Sequence, residues 1–115
     1  MFINLEAVRI FICAGSMDMR KQAAGLARIV QNSMGSNPFD GSLYVFCNKR
    51  KNMIKIVYWE TNGFCCWSKR LEKDTFVWPN EPAAMKGLEA RQLRLLLQGM
   101  DIWRVHKELY YSEVG

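Results

Sequence analysis

Four segments rich in β-branched and aromatic residues, separated by short turns, constrain the fold of this chain more than any other feature. The first begins at residue 42 and ends at an uninterrupted basic turn, Lys49-Arg50-Lys51. The others cover residues 53–60, 64–72 and 75–78. Because such short connections join antiparallel neighbours, the pattern predicts an antiparallel meander over residues 42–78.

One more strand and a helix are predicted before this meander. Residues 8–13 are typical of a strand, and Asp18 is a suitable N-cap for a helix over residues 18–34. The buried stripe expected on this helix consists of Met19, Ala23, Leu26, Val30 and Met34. Arg20 and Lys21 would lie in its first turn, where cations oppose the helix dipole unless an anion compensates them.

A helical C-terminal part is predicted over residues 88–110, with Gly99 ending its first helix. The apolar side of that helix is expected to carry Leu93, Leu96, Leu97 and Met100. The length predicts a single domain over residues 1–115. The expected fold class is α+β, with the N-terminal helix and the C-terminal helices packed on a mostly antiparallel sheet.

The hairpin after Glu60 predicts a strand register. If Asn62-Gly63 occupies the central positions of a type I′ turn, Lys55 faces Arg70 directly across the two strands. Like charges so paired destabilise a sheet unless Glu72 or a bound phosphate neutralises them.

The net charge of +5 is distributed unevenly along the chain. Residues 16–73 carry ten of the sixteen Lys and Arg residues but only four of the eleven Asp and Glu residues. Such an excess is typical of a polyanion-binding face, and it is equally compatible with a basic surface that has no specific partner.

The sequence indicates no cofactor, metal or membrane span. Its four cysteines and one histidine have no zinc-ligand spacing, and the acidic residues occur singly instead of in a metal-binding set. No apolar run reaches the roughly eighteen residues of a transmembrane helix, and the N-terminus does not resemble a secretory signal. We therefore expect a cytoplasmic protein whose thiols are reduced and mostly buried.

Three other interpretations of the chemistry remain open at this stage. The helices around Gly99 would suit a helix-turn-helix carrying Arg104 and Lys107, although packing helices are commoner. Cys65 or Cys66 with His106 would make a nucleophile and a base if the fold brought them together. The aromatic residues that would stack nucleobases, or else pack in the core, are Phe46, Tyr58, Trp59 and Trp67.

Several motifs in order give a more specific indication. They are Asp18-Met19-Arg20-Lys21, Asn37-Pro38-Phe39-Asp40-Gly41-Ser42-Leu43-Tyr44-Val45-Phe46, Lys55-Ile56-Val57-Tyr58-Trp59, Gly63-Phe64, Lys69-Arg70-Leu71-Glu72 and Phe76-Val77-Trp78-Pro79. From about residue 8 to residue 103 the chain resembles the TnpB accessory proteins of the IS-sixty-six type bacterial insertion sequences. It departs from their pattern at Gln22 and at Asp74-Thr75, where glycine is common.

The resemblance implies a bacterial mobile element and a protein that assists transposition. In that family a separate transposase cuts and joins DNA, and no catalytic residues are established that would carry over to this chain. We therefore expect a non-catalytic accessory protein that binds DNA. The residues expected to contact phosphates are Arg20, Lys21, Lys49, Arg50, Lys51, Lys55, Lys69 and Arg70. The alternative is an interaction module that docks on the transposase of the element without touching DNA.

Overall fold

A five-stranded sheet carries the fold in the computed structural model, which describes residues 3–18, 20–79 and 85–103. Its strands are β1 (Ile10–Cys13), β2 (Leu43–Cys47), β3 (Met53–Glu60), β4 (Gly63–Arg70) and β5 (Met85–Leu88). The described helices are α1 (Ala23–Asn32) and α2 (Ala90–Leu97), and a 3-10 turn covers Leu5–Ala7. No described helix is long and apolar enough to cross a membrane.

The sheet has the strand order β4-β3-β2-β1-β5. Strands β2, β3 and β4 form the expected antiparallel meander, and β5 runs antiparallel to β1. Strand β1, however, pairs with β2 in parallel, which no pattern in the sequence predicted. Parallel neighbours need a crossover connection, and α1 provides it. The predicted α+β class and mostly antiparallel sheet are confirmed.

The sheet has a hydrophobic cluster on each face. On one face α2 contributes Leu93 and Leu96 to a cluster with the even-numbered positions of β1 and β3. On the other face Leu26 and Val30 of α1 pack with Tyr44, Phe46 and Val57, among others. Every residue of β2 is buried because both faces and both edges of that strand are covered.

The predicted final strand over residues 75–78 is wrong, since this segment crosses one end of the sheet without pairing as a strand. Asp74 turns the chain with a positive φ of 66°, and the Phe76 amide donates to the Lys51 carbonyl at 2.6 Å. Phe76 and Trp78 are nevertheless buried in the α2-face cluster. The remaining strand of the sheet is instead β5, whose Lys86 and Gly87 have low β-propensity and gave no strand signal.

Helix α1 is shorter than predicted because Asp18 does not cap it. The Asp18 carboxylate accepts from the Arg20 amide at 2.9 Å, and its carbonyl accepts from the Lys21 amide at 3.1 Å. These bonds form a separate turn, so both cations precede the helix instead of lying in its first turn. The buried stripe is confirmed at Leu26 and Val30, with Ala23 and Met34 partly buried beside them, and Met19 lies outside the described residues.

Helix α2 begins at Ala90 and not at the predicted residue 88, because Leu88 is the last residue of β5. Glu89 is its N-cap, and the Glu89 amide donates to the Gln92 side chain at 2.9 Å. It ends as predicted, with Gly99 at a positive φ of 87° just beyond the helix. Met100 is 45% exposed and is not part of the apolar face, which corrects its assignment. The predicted helical part beyond residue 103 lies outside the described residues.

The predicted hairpin register is also wrong. Glu60 pairs with Gly63, so Thr61 and Asn62 form the turn, and Thr61 has a positive φ of 52°. Lys55 therefore faces Ser68 and not Arg70. The error is a shift of two residues, which leaves every side chain on its predicted face.

A disulfide test checks this register. In a Cys65→Ser, Cys66→Ser background, we expect Lys55→Cys with Ser68→Cys to crosslink on mild oxidation. Directly opposed Cα atoms lie about 4.5–5.5 Å apart, within disulfide range, whereas diagonal neighbours lie about 7–8 Å apart. Lys55→Cys with Arg70→Cys is the matched control, and faster crosslinking of that control by intact mass would contradict the observed register.

Candidate nucleic-acid interface

One end of the sheet gathers the turn between β2 and β3 and the segments that follow β1 and β4. The Met17 amide donates to the Cys47 carbonyl and the Gly15 amide to the Pro79 carbonyl, each at 2.9 Å. The Leu71 amide donates to the Asn52 carbonyl at 2.8 Å. We call this region the basic end and define it by Lys21, Lys49, Arg50, Lys51, Lys55 and Arg70.

Asn48 holds the turn at the basic end in a defined shape. Its side-chain oxygen accepts from the Asn52 amide at 3.0 Å and from the Met53 amide at 3.1 Å. Its side-chain nitrogen donates to the Asn52 side chain at 2.6 Å, and Lys51 adopts a positive φ of 60°. Lys49 and Arg50 are consequently exposed at the end of this turn, which we call the tip. Among the described residues neither has an ion-pair partner.

A small cavity lies between this turn and the loop after β1. It has a volume of about 160 Å³ and is lined by Gly15, Ser16, Asn48, Lys49, Lys51 and Trp78. The Trp78 indole donates to the Gly15 carbonyl at 3.1 Å, which joins the loop after β1 to the segment of residues 75–78. Two lysines and a hydroxyl at the mouth of a polar cavity are suited to an oxyanion such as a DNA phosphate.

Arg20 differs from the tip cations because a carboxylate already engages it. Its guanidinium donates to the Asp18 carboxylate, with the shortest contact at 2.8 Å. Hydrogen bonds from the Arg20 side chain lower the pKa of the Asp18 carboxyl to about 2. Lys21 is exposed, and the nearby Lys55 ammonium donates to its backbone carbonyl at 3.3 Å.

Lys55 and Arg70 lie on the α1 face as diagonal neighbours, since Lys55 pairs with Ser68 and Arg70 with Met53. The predicted phosphate site between two directly opposed cations therefore has no basis in the observed register. Arg70 is exposed at the last position of β4, and its side chain still extends the basic end toward the sheet edge.

Lys69 points to the opposite face from Arg70, because adjacent strand residues alternate. Its ammonium donates to the Leu97 carbonyl at 2.7 Å, at the C-terminus of α2. A cation there satisfies an end carbonyl and complements the helix dipole. The structure thus gives Lys69 a stabilising contact on the α2 side, away from the tip.

The candidate stacking residues do not form a free platform at the basic end. Phe46 is fully buried, and Tyr58 and Trp67 are partly buried against the α2-face cluster. Trp59 packs edge to face against Phe39 and Phe64, with ring centroids 5.0 Å apart in both pairs. These aromatic residues serve packing more than base stacking.

The thiols are more exposed than predicted. Cys13 and Cys47 are buried, and burial raises the pKa of each thiol to about 12. Cys65 is half-buried and Cys66 is exposed, which corrects the expectation for those two. His106, Arg104 and Lys107 lie outside the described residues. In the described part of the chain, no three His, Cys, Asp or Glu side chains lie close enough together to hold a metal ion.

Residues 8–107 match the protein family described as "IS66 Orf2 like protein". The chain belongs to this family. An uncharacterized Sinorhizobium fredii protein, y4hO, is 36% identical over 105 residues, which cover 91% of this chain and 90% of that protein. A second uncharacterized protein of that organism, y4jC, is 27% identical over 103 residues, which cover 90% and 88% of the two chains. No solved structure matches the chain.

Membership confirms the resemblance inferred from the motifs. The IS66 Orf2-like proteins are accessory proteins of insertion sequences, so the chain has a transposition-related role. The family does not by itself assign the cations described above. Sequence reasoning named the tip but missed Gly15, Ser16 and Trp78, because nothing in the sequence shows that these segments meet the turn.

The contact of Lys69 with α2 predicts a stability effect in this IS66 Orf2-like protein. Lys69→Met keeps the apolar stem but removes the charged donor to the Leu97 carbonyl, so we expect the free energy of unfolding to fall by about 1 kcal/mol. Lys73→Met, at an exposed position beyond β4, is the matched control. Equal denaturation midpoints for the two variants would contradict the role of Lys69 at the helix end.

Proposed function

We propose that this chain assists transposition without catalysing it, and that it binds DNA phosphates through the basic end. The observation that carries the proposal is the group of unpaired tip cations beside a polar cavity at one end of the sheet. Unpaired lysine and arginine side chains on a rigid turn release counterions when they meet a polyanion, which favours binding.

The other cations contribute unequally to this proposal. Lys21 and Arg70 are exposed, and neither has an ion-pair partner within the described part of the chain, so they extend the phosphate-binding surface from the tip. Arg20 would bring a charge that Asp18 already compensates in part. Lys69 lies on the other face, so we leave it out of the proposed contact set.

Phosphate contacts position a protein on DNA but do not read its sequence. The proposed interface offers ammonium and guanidinium groups on and around a short turn, and no residue of α1 or α2 belongs to it. We therefore propose binding that depends on salt and little on sequence. Any selection of element ends would come from a partner protein or from DNA shape.

A protein that docks on the transposase without touching DNA is the competing function. Plain duplex DNA separates the two, because only the DNA-binding function predicts a complex whose affinity falls as salt increases. A duplex with the element's terminal repeats and a scrambled duplex should then bind with similar affinity.

Removing the two tip cations tests the proposed surface. We expect Lys49→Ala with Arg50→Ala to weaken duplex binding and to reduce the magnitude of the salt slope by about 2, near 0.9 for each lost phosphate contact. Lys51 is left unchanged because it is half-buried and lines the cavity, so its replacement would change packing as well as charge.

The matched control for the tip variant is Arg28→Ala with Arg91→Ala. Both arginines are exposed, lie on helices and have no ion-pair partner among the described residues, so the net charge falls equally. An unchanged slope in the tip variant, or an equal loss in the control, would exclude the tip as a phosphate contact.

The non-catalytic part of the proposal has its own test. Incubated with supercoiled DNA and Mg²⁺ or Mn²⁺, the purified chain should neither nick nor join strands, since such chemistry uses clustered carboxylate ligands. Cleavage that disappears when one of its own acidic residues is replaced would show that the chain is an enzyme.

A further inference from the structure

A groove on the α1 side of the sheet has features that the proposed phosphate surface does not explain. It lies between α1 and the start of the edge strand β4, at the opposite end of the strands from the tip. Its cavity has a volume of about 250 Å³, and its walls include Ala24, Ala27, Arg28, Pro38, Phe39 and Phe64. We call it the aromatic groove.

Phe39 is an exposed anchor on a rigid loop. The residue is 50% exposed, although its ring contacts that of Phe64 with centroids 5.2 Å apart. The Phe39 amide donates to the Asn37 side chain at 3.0 Å, and the buried Tyr44 hydroxyl donates to the Asn37 carbonyl at the same distance. A half-exposed phenylalanine held in this way is preorganised for contact, which lowers the entropy cost of binding.

Both walls of the groove lack carboxylates. Residues 20–39 and 61–71 contain no Asp or Glu, and Arg28 is exposed without an ion pair to any residue in the described ranges. Asp40 follows Phe39 but pairs with Arg9 at 3.2 Å, and Glu60 lies on the other face of β3, where it accepts from Cys65. Arg28 therefore gives the groove a positive charge that no carboxylate in its walls neutralises, which favours an acidic partner.

The walls suit an amino-acid side chain better than a nucleobase. Alanine methyl groups, Pro38 and two aromatic rings make most of the cavity apolar, and its polar lining residues are Arg28 and Gln31. Such a lining fits an apolar side chain with a charged group beside it. The rings of Phe39, Trp59 and Phe64 also pack on one another instead of presenting parallel free faces for stacking.

We propose that the aromatic groove binds a segment of a partner protein that inserts a large apolar side chain and places a carboxylate beside Arg28. The rings of Phe39, Trp59 and Phe64, together with the cavity, would form the buried centre of such an interface, and Arg28 would lie at its rim. This binding surface is separate from the tip, so the chain would be able to hold DNA and a protein at the same time.

A phage-displayed library of random peptides, selected on the full-length chain, tests the groove. We expect the enriched peptides to combine Leu, Met, Phe or Trp with Asp or Glu. A synthetic copy of an enriched peptide, followed by fluorescence polarisation, should lose about tenfold or more in affinity with Phe39→Ser and with Arg28→Glu.

Arg91→Glu provides the matched control, because it makes the same charge change at an exposed position of the other helix. It should leave the peptide affinity unchanged. Arg28→Glu changes an exposed side chain and keeps the apolar contacts, so it tests the groove even if Phe39→Ser lowers stability in a thermal melt.

Three outcomes would overturn the proposal. They are a library that yields no binders, enriched peptides without acidic residues, and peptide binding that both groove variants leave unchanged. A different result would assign the groove to nucleic acid: the wild type binds single-stranded oligo(dT) but no peptide, and Phe39→Ser loses the oligo(dT) binding. None of these results depends on whether the tip binds duplex DNA.

Discussion

The parallel pairing of β1 with β2 is the constraint on which the rest of the structure depends. Two parallel neighbours cannot be joined by a turn, so the chain must cross one face of the sheet, and α1 makes that crossing. The crossing covers one face of β2, while α2 covers the other, and every residue of β2 is consequently buried. The same pairing places the C-terminal ends of β1 and β2 side by side, where the loop after β1 meets the basic turn.

Because both faces of the central strand β2 are covered, the ends and edges of the sheet are its most accessible parts. The tip cations lie at one end, and the aromatic groove lies toward the other end beside the edge strand β4. Each surface is built on hydrogen-bonded turns, with Asn48 holding the first and Asn37 supporting the second. The two proposed contact surfaces are therefore separate from each other on the sheet.

Basic residues that are close in sequence have different roles because they contact different groups in the fold. Lys69 and Arg70 are adjacent in sequence, yet one stabilises the end of α2 and the other is exposed on the α1 face. Arg20 forms an ion pair with Asp18, whereas Lys49 has no such partner among the described residues. The proposed phosphate surface is therefore smaller than the set of basic residues in the same part of the sequence.

The sequence by itself determined the family, the antiparallel strands β2 to β4 and the helix end at Gly99. These properties follow from local composition and from the periods of two and 3.6 residues, which a linear pattern records. Only the tertiary structure decided the hairpin register, the crossing path of residues 75–78 and the contact of Lys69 with Leu97. A shift of two residues preserves the alternation of side chains, so hydrophobic pattern cannot select between the two registers. The partners of Lys69 and Trp78 come from distant segments, and their meeting depends on how the sheet and both helices pack together.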